Sequence, residues 1–242
     1  MGAWRKVLIL LMLLVFIVGL GILLYPYLQG MAIDHRIEND AHAFLEKVEN
    51  RPVMPESTIP QIPDSNDTPP QESEPVPYPE LLEAMENYNH RIWEEKQSCL
   101  SDPWAYEQPS FQLSDYGIPD EVFGVITIPR LELELPVLAA CTDENLKISP
   151  CLYSGTTMED DLVLAGHNYR RHFGPIRRLK PGNDVVFVDM EGNTIHYQVA
   201  AVDAVAPSAV EEVTSGQFDL ALFTCTYGGE TRLVVYCDRT EP

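Results

Sequence analysis

Leu222-Phe223-Thr224-Cys225-Thr226-Tyr227-Gly228-Gly229-Glu230-Thr231-Arg232-Leu233-Val234-Val235-Tyr236 is a strand, a glycine-bearing turn and a second strand. The first strand ends on a thiol and the second begins with a cation. A thiol beside a fixed positive charge is a nucleophile arrangement, because the cation favours the thiolate and stabilises an oxyanion. Such a thiol needs a proton partner. The apolar run Val163-Leu164-Ala165 leads into Gly166 and presents His167, 58 residues before Cys225. The stretch therefore implies a β-rich fold whose strand ends carry chemistry.

The surrounding chain agrees with that reading. Residues 125–128, 131–137, 161–165, 184–188, 194–202, 220–224 and 233–237 are short runs rich in β-branched or aromatic residues, punctuated by Gly, Pro, Asn and Asp. Gly192-Asn193 suits a hairpin turn. Seven or eight strands in about 120 residues predict a mainly β fold, a closed β-barrel, with short helices over 173–179 and 210–216.

The reacting residues resemble those of the sortases, the cysteine transpeptidases of Gram-positive cell surfaces. The hallmark of that family is a Thr-Leu-x-Thr-Cys strand followed by Arg, with an upstream Gly-His pair. Here Leu222-Phe223-Thr224-Cys225, Arg232 and Gly166-His167 occupy those places, with Ala221 in place of the first Thr. Phe123-Gly124-Val125-Ile126-Thr127-Ile128-Pro129, Leu135-Pro136-Val137, Ser154-Gly155-Thr156 and His196-Tyr197-Gln198-Val199 extend the resemblance over residues 117–239. It implies a closed eight-stranded barrel that needs no cofactor.

The resemblance also implies cleavage of a C-terminal sorting signal of the Leu-Pro-x-Thr-Gly type, with the surface protein or pilin that carries it held as a thioacyl intermediate. The acceptor is an amine of a wall precursor or a pilin lysine. A thiol ordinarily titrates near 8.5, so attack needs a stabilised thiolate or a base. Cys225 is the expected nucleophile, and His167 the acid and base for the departing and incoming amines. Arg232, permanently protonated, binds the substrate carbonyl or the oxyanion. A peptidase that releases its acyl group to water and an inactive surface scaffold remain as alternatives.

Net charge bounds the partners. Lys and Arg total 16 against 37 Asp and Glu, and the resulting −21 excludes a nucleic-acid partner. Residues 7–24 are 18 consecutive residues without a charge, nearly enough to cross a hydrocarbon core of about 30 Å. The run exceeds the apolar region of a cleavable signal peptide, and Arg5 and Lys6 precede it, so an uncleaved single-pass anchor with a cytoplasmic N-terminus and an extracellular catalytic domain is expected.

The expected organisation is a cytoplasmic tip and transmembrane anchor over 1–28, a helical stalk over 29–50, a Pro-rich acidic linker over 51–79, a helix and lid over 80–116 and the catalytic barrel over 117–242. Ile33, Ile37, Ala41, Phe44, Leu45 and Val48 give the stalk an apolar face. Nine prolines between 51 and 79 prevent helix and core alike, and 29 residues of such chain reach up to about 90 Å. Leu81, Leu82, Met85, Tyr88, Ile92 and Trp93 form a second stripe, expected to pack on the following domain.

Asp102-Pro103-Trp104 then resembles the lid of pilin-polymerising, class C sortases. By that resemblance Asp102 lies near Arg232 and Trp104 near Cys225; an ordinary turn is the plainer reading. A metal site of His167, His172 and Cys225 has no CxxC or HExxH spacing behind it, and none is expected. Glu211-Glu212 reads as a solvated turn. Five cysteines leave at least one outside any disulfide, expected to be Cys225, while the pairing of Cys99, Cys141, Cys151 and Cys237 stays open.

Overall fold

A strand such as Leu220-Ala221-Leu222-Phe223 is apolar at every position, which suits burial on both faces of a sheet. The computed structural model, which describes residues 2–50, 79–94, 113–116, 118 and 121–241, provides that burial. Leu220 and Leu222 join one core cluster with Ile126, Ile128, Leu162, Leu164 and Phe187. Ala221 and Phe223 join a second with Val125, Tyr153, Val163, Val234 and Tyr236.

Eight strands close into a barrel: β1 (Val122–Ile128), β2 (Leu133–Leu138), β3 (Cys151–Ser154), β4 (Leu162–Ala165), β5 (Asp184–Asp189), β6 (Thr194–Val205), β7 (Leu220–Cys225) and β8 (Arg232–Thr240). Their order around the barrel is β1-β2-β3-β4-β7-β8-β6-β5. The pairs β2/β3 and β4/β7 are parallel and the others antiparallel.

Seven of these strands were expected. β3 was not, because it is four residues long and meets β2 at a single position, Leu138 opposite Cys151. The β5–β6 turn is fixed by Asp189, whose carboxylate accepts from the backbone of Glu191 (3.0 Å) and Asn193 (2.8 Å), with Gly192 at φ +93°. Of the two short helices expected, residues 174–178 form a 3-10 turn, and 210–213 form one α-turn that leaves Glu211 and Glu212 exposed.

Helix α1 (Ala3–Glu49) is continuous. Its N-terminal part is long and apolar enough to cross a membrane, and its side chains there lie bare, Leu10 at 70% and Phe16 at 68% exposure. Further along, Ile37, Ala41 and Phe44 are buried where the helix packs on β1 and β2, and Val48 rests against Gly192. The apolar face expected of a stalk is therefore covered by the barrel. Helix α2 (Pro79–Glu94) buries Leu81 and Met85 in the first cluster. The side chains of Tyr88, Ile92 and Trp93 lie outside the described residues.

Both helices that flank residues 51–78 thus dock on the barrel. Residues 51–78 themselves, and the lid residues Asp102 and Trp104, lie outside the described residues.

Candidate active site

β4 and β7 run parallel, with Ala165 opposite Phe223, and the Gly166 N–H donates to the Phe223 carbonyl at 3.1 Å. His167 and Cys225 each lie two positions beyond that pair, so the parallel register carries both to the same end of the barrel. β7 and β8 run antiparallel with Cys225 directly opposite Arg232. Three residues distant in sequence therefore converge because strand pairing fixes their level.

Local backbone needs explain the flanking residues. A Cβ on Gly166 would sit 2.6 Å from the Phe173 ring, which is fully buried, so only glycine lets the His167 loop fold back over that ring. The Phe173 N–H returns to the His167 carbonyl at 3.2 Å and closes the loop. In the β7–β8 turn, Gly228 and Gly229 take φ +86° and +75°. Thr226 and Thr231 clamp its neck: the Thr226 N–H donates to the Thr231 carbonyl (3.1 Å) and the Thr231 N–H to Thr226 Oγ1 (3.2 Å).

Arg232 is buried, and its Nη1 donates to the carbonyls of Gly229 (3.0 Å) and Thr231 (3.3 Å). The turn thus orients the guanidinium beside the position of Cys225. Tyr227 projects from the tip, 81% exposed, with the Arg177 guanidinium 5.6 Å from its ring centre. Cys225 itself is half-buried at the strand end.

His167 is half-buried, and its ring lies 4.8 Å from that of Tyr169. Burial lowers its pKa below the usual histidine value; Asp143 acts in the opposite direction and Lys147 adds to the lowering. Both charges come from helix α3 (Asp143–Leu146) and the residue after it, and they pair with each other. The sequence offered no sign of this, since α3 reaches the histidine only through the course of the β2–β3 connection. No group of three or more His, Cys, Asp or Glu residues suited to a metal occurs among the described residues.

His172 is the other residue whose place the sequence concealed. It follows Arg170 and Arg171, yet it is 2% exposed, its ring lies 5.4 Å from that of Tyr169, and burial lowers its pKa to about 4. Nδ1 has no hydrogen-bond partner among the described residues, and the Ile148 backbone bonds the ring. Between about pH 6.5 and 4 the unfolded chain therefore takes up a proton that the folded protein refuses. Stability falls as pH drops through that window, by up to about 1.4 kcal/mol per pH unit. Thermal unfolding from pH 7 to 4 should show a shallower loss in His172→Gln than in the native chain; parallel curves would assign the slope to other groups.

Known proteins share this barrel. Residues 126–240 match the family model of the sortase domain. Over 116 residues the chain is 35% identical to sortase A of Bacillus anthracis, covering 43% of this chain and 52% of that relative; the chain thus spans about half the length of the curated relative it matches. Among solved structures, sortase C-3 from Streptococcus pneumoniae superposes with a TM-score of 0.53 at 26% identity, over 67% of this chain and 83% of that one. Sortase C1 of Streptococcus agalactiae, solved as its complex with MTSET, gives a TM-score of 0.53 at 23% identity, over 68% and 91% respectively, and supports the fold.

Proposed function

We propose, from the match of residues 126–240 to the sortase family model and the 35% identity to sortase A of Bacillus anthracis, that this chain is a membrane-anchored cysteine transpeptidase. Cys225 attacks the scissile carbonyl of a sorting signal of the Leu-Pro-x-Thr-Gly type, and the oxyanion forms beside Arg232. His167 donates a proton to the departing amine, leaving the surface protein or pilin as a thioester on Cys225. An amine of a wall precursor or a pilin lysine then attacks the thioester, and His167 removes its proton. The observation that carries the reading is the shared level of His167 and Cys225 on parallel strands, with Arg232 opposite the cysteine.

The catalytic unit is the barrel, residues 117–242. The anchor spans the membrane with its N-terminus in the cytoplasm, following the positive-inside tendency of Arg5 and Lys6. Arg171, four residues after His167, supports a site close to the bilayer: its Nη1 donates to the Gly30 carbonyl (2.5 Å) and pairs with Asp34 (2.5 Å). Gly30 follows the last residue of the apolar run by about 9 Å of helix. Peptides bearing sorting signals, incubated with the full chain in detergent, should yield a product joined to an added amine, in proportion to amine concentration. Cleavage with only the free acid formed at every amine concentration would make the protein a peptidase.

A further inference from the structure

Four cysteines are described, and two of them, Cys141 and Cys151, lie at the two ends of one loop. Leu138, the last residue of β2, stands beside Cys151, the first of β3, and its N–H donates to the Pro150 carbonyl at 2.9 Å. Twelve residues, 139–150, connect these strands, and Cys141 is the third of them, at the mouth of the loop that Cys151 closes. There Cys141 packs half-buried against the core cluster to which the fully buried Cys151 belongs, and the Cys151 thiol, on whose titration Cys141 bears, donates to the Ser149 carbonyl at 3.5 Å. Cys237, by contrast, is buried in β8 within the other cluster.

We propose that Cys141 and Cys151 close into a disulfide that staples the β2–β3 connection beside the catalytic histidine. The bond needs an oxidising compartment, and in the cell it rests on the outward-facing barrel proposed above. The half-exposed Cys141 reacts first. Its thiolate attacks an external disulfide, such as that of a thiol oxidoreductase or oxidised glutathione, and expels one thiolate. Cys151 then loses its proton and attacks the Cys141 sulfur, expelling the second. Two protein thiols are oxidised and one external disulfide is reduced to two thiols. Burial raises the Cys151 thiol well above its ordinary value, so Cys151 serves as the resolving partner rather than the first attacker.

The consequence lies in what the stapled segment carries. Asp143 and Lys147, the two charges that bear on His167, are inside the loop, as is Ile148, whose backbone bonds His172. Closing the loop fixes the distance of this charge pair from the active-site imidazole and ties down the packing around Tyr169. The same bond leaves Cys225 as a thiol, available to substrate.

The test uses the full chain in detergent, treated with oxidised glutathione or with dithiothreitol, alkylated and digested with trypsin. Cleavage at Lys147 separates the two cysteines, so the disulfide joins two peptides into one species lighter by two hydrogen atoms. The expected result is that species in the oxidised sample, with Cys225 alkylated, and a thermal midpoint raised by roughly 5 °C or more over the reduced protein. Cys141→Ser, at the half-exposed position, should fold and abolish the difference. Alkylation of both Cys141 and Cys151 after oxidation, or capture of Cys141 only as a mixed disulfide or with another cysteine, overturns the proposal. Protein alkylated directly in the cells separates the two claims. A bond that forms in detergent but not in the cell counts against the outward-facing orientation and leaves the pair intact.

Discussion

Cys225→Ala is expected to lower turnover of a sorting-signal peptide by at least about 10⁴-fold, to the limit of detection, because no neighbouring group can replace the thiolate as the atom that holds the acyl group. The fold should survive. Cys225 is the last residue of β7, half-buried, and its backbone pairing with Arg232 needs no side chain. The core beneath it is closed by Phe223 and Thr224, both buried. A stability change within about 1 kcal/mol is therefore expected, readable as an unfolding midpoint within a few degrees of the native chain. Residual turnover well above that limit in a folded Cys225→Ala protein would mean that a different group forms the covalent bond.

The second large effect is expected at Arg232. Its guanidinium has two tasks in this account: through Nη1 it holds the turn carbonyls of Gly229 and Thr231, and it stabilises charge developing on the substrate carbonyl oxygen. Alanine would remove both at once and confuse structural loss with chemical loss. Lysine separates them, because it keeps the charge but not the planar fork that serves a turn and an oxyanion together. Arg232→Lys should lower kcat/KM by roughly 10²–10³-fold, mostly in kcat, with a small change in thermal midpoint. An equal rise in KM with kcat unchanged would restrict Arg232 to ground-state binding of the substrate backbone.

How much of this was legible in the sequence depends on which contacts are local. The β7–turn–β8 unit could be read directly, because an apolar run, two glycines and a second run leave few other options, and it is antiparallel in the structure. The spacing of strands and turns permitted a closed barrel, and the resemblance of the motifs implied its eight strands. β3 itself was not legible, because a four-residue strand with a bulge carries too little pattern. The docking of α1 was hidden for another reason. Its apolar face at Ile37, Ala41 and Phe44 says that something covers the helix, and only the folded chain shows that the cover is β1 and β2.

The site divides in the same way. His167, Cys225 and Arg232 stand out as residue types at strand ends, and the motif around each is contiguous. Asp143, Lys147 and His172 do not, since their relation to His167 comes from the way the β2–β3 connection and the loop after β4 pack together. In the sequence His172 enters only as a metal candidate with His167 and Cys225, without spacing behind it. Its burial is a tertiary fact, and so is the packing of Cys141 against the cluster that holds Cys151.

The central claim is that Cys225 carries the acyl group during transfer. Its most direct test is the intact mass of the full chain mixed with a sorting-signal peptide in the absence of amine, followed by fragmentation to locate the added mass. The account predicts a thioester on Cys225 that hydroxylamine or an added amine removes, and none on the Cys225→Ala protein. Efficient peptide cleavage with no adduct on Cys225 at any time, or with the acyl group on another residue, would contradict it.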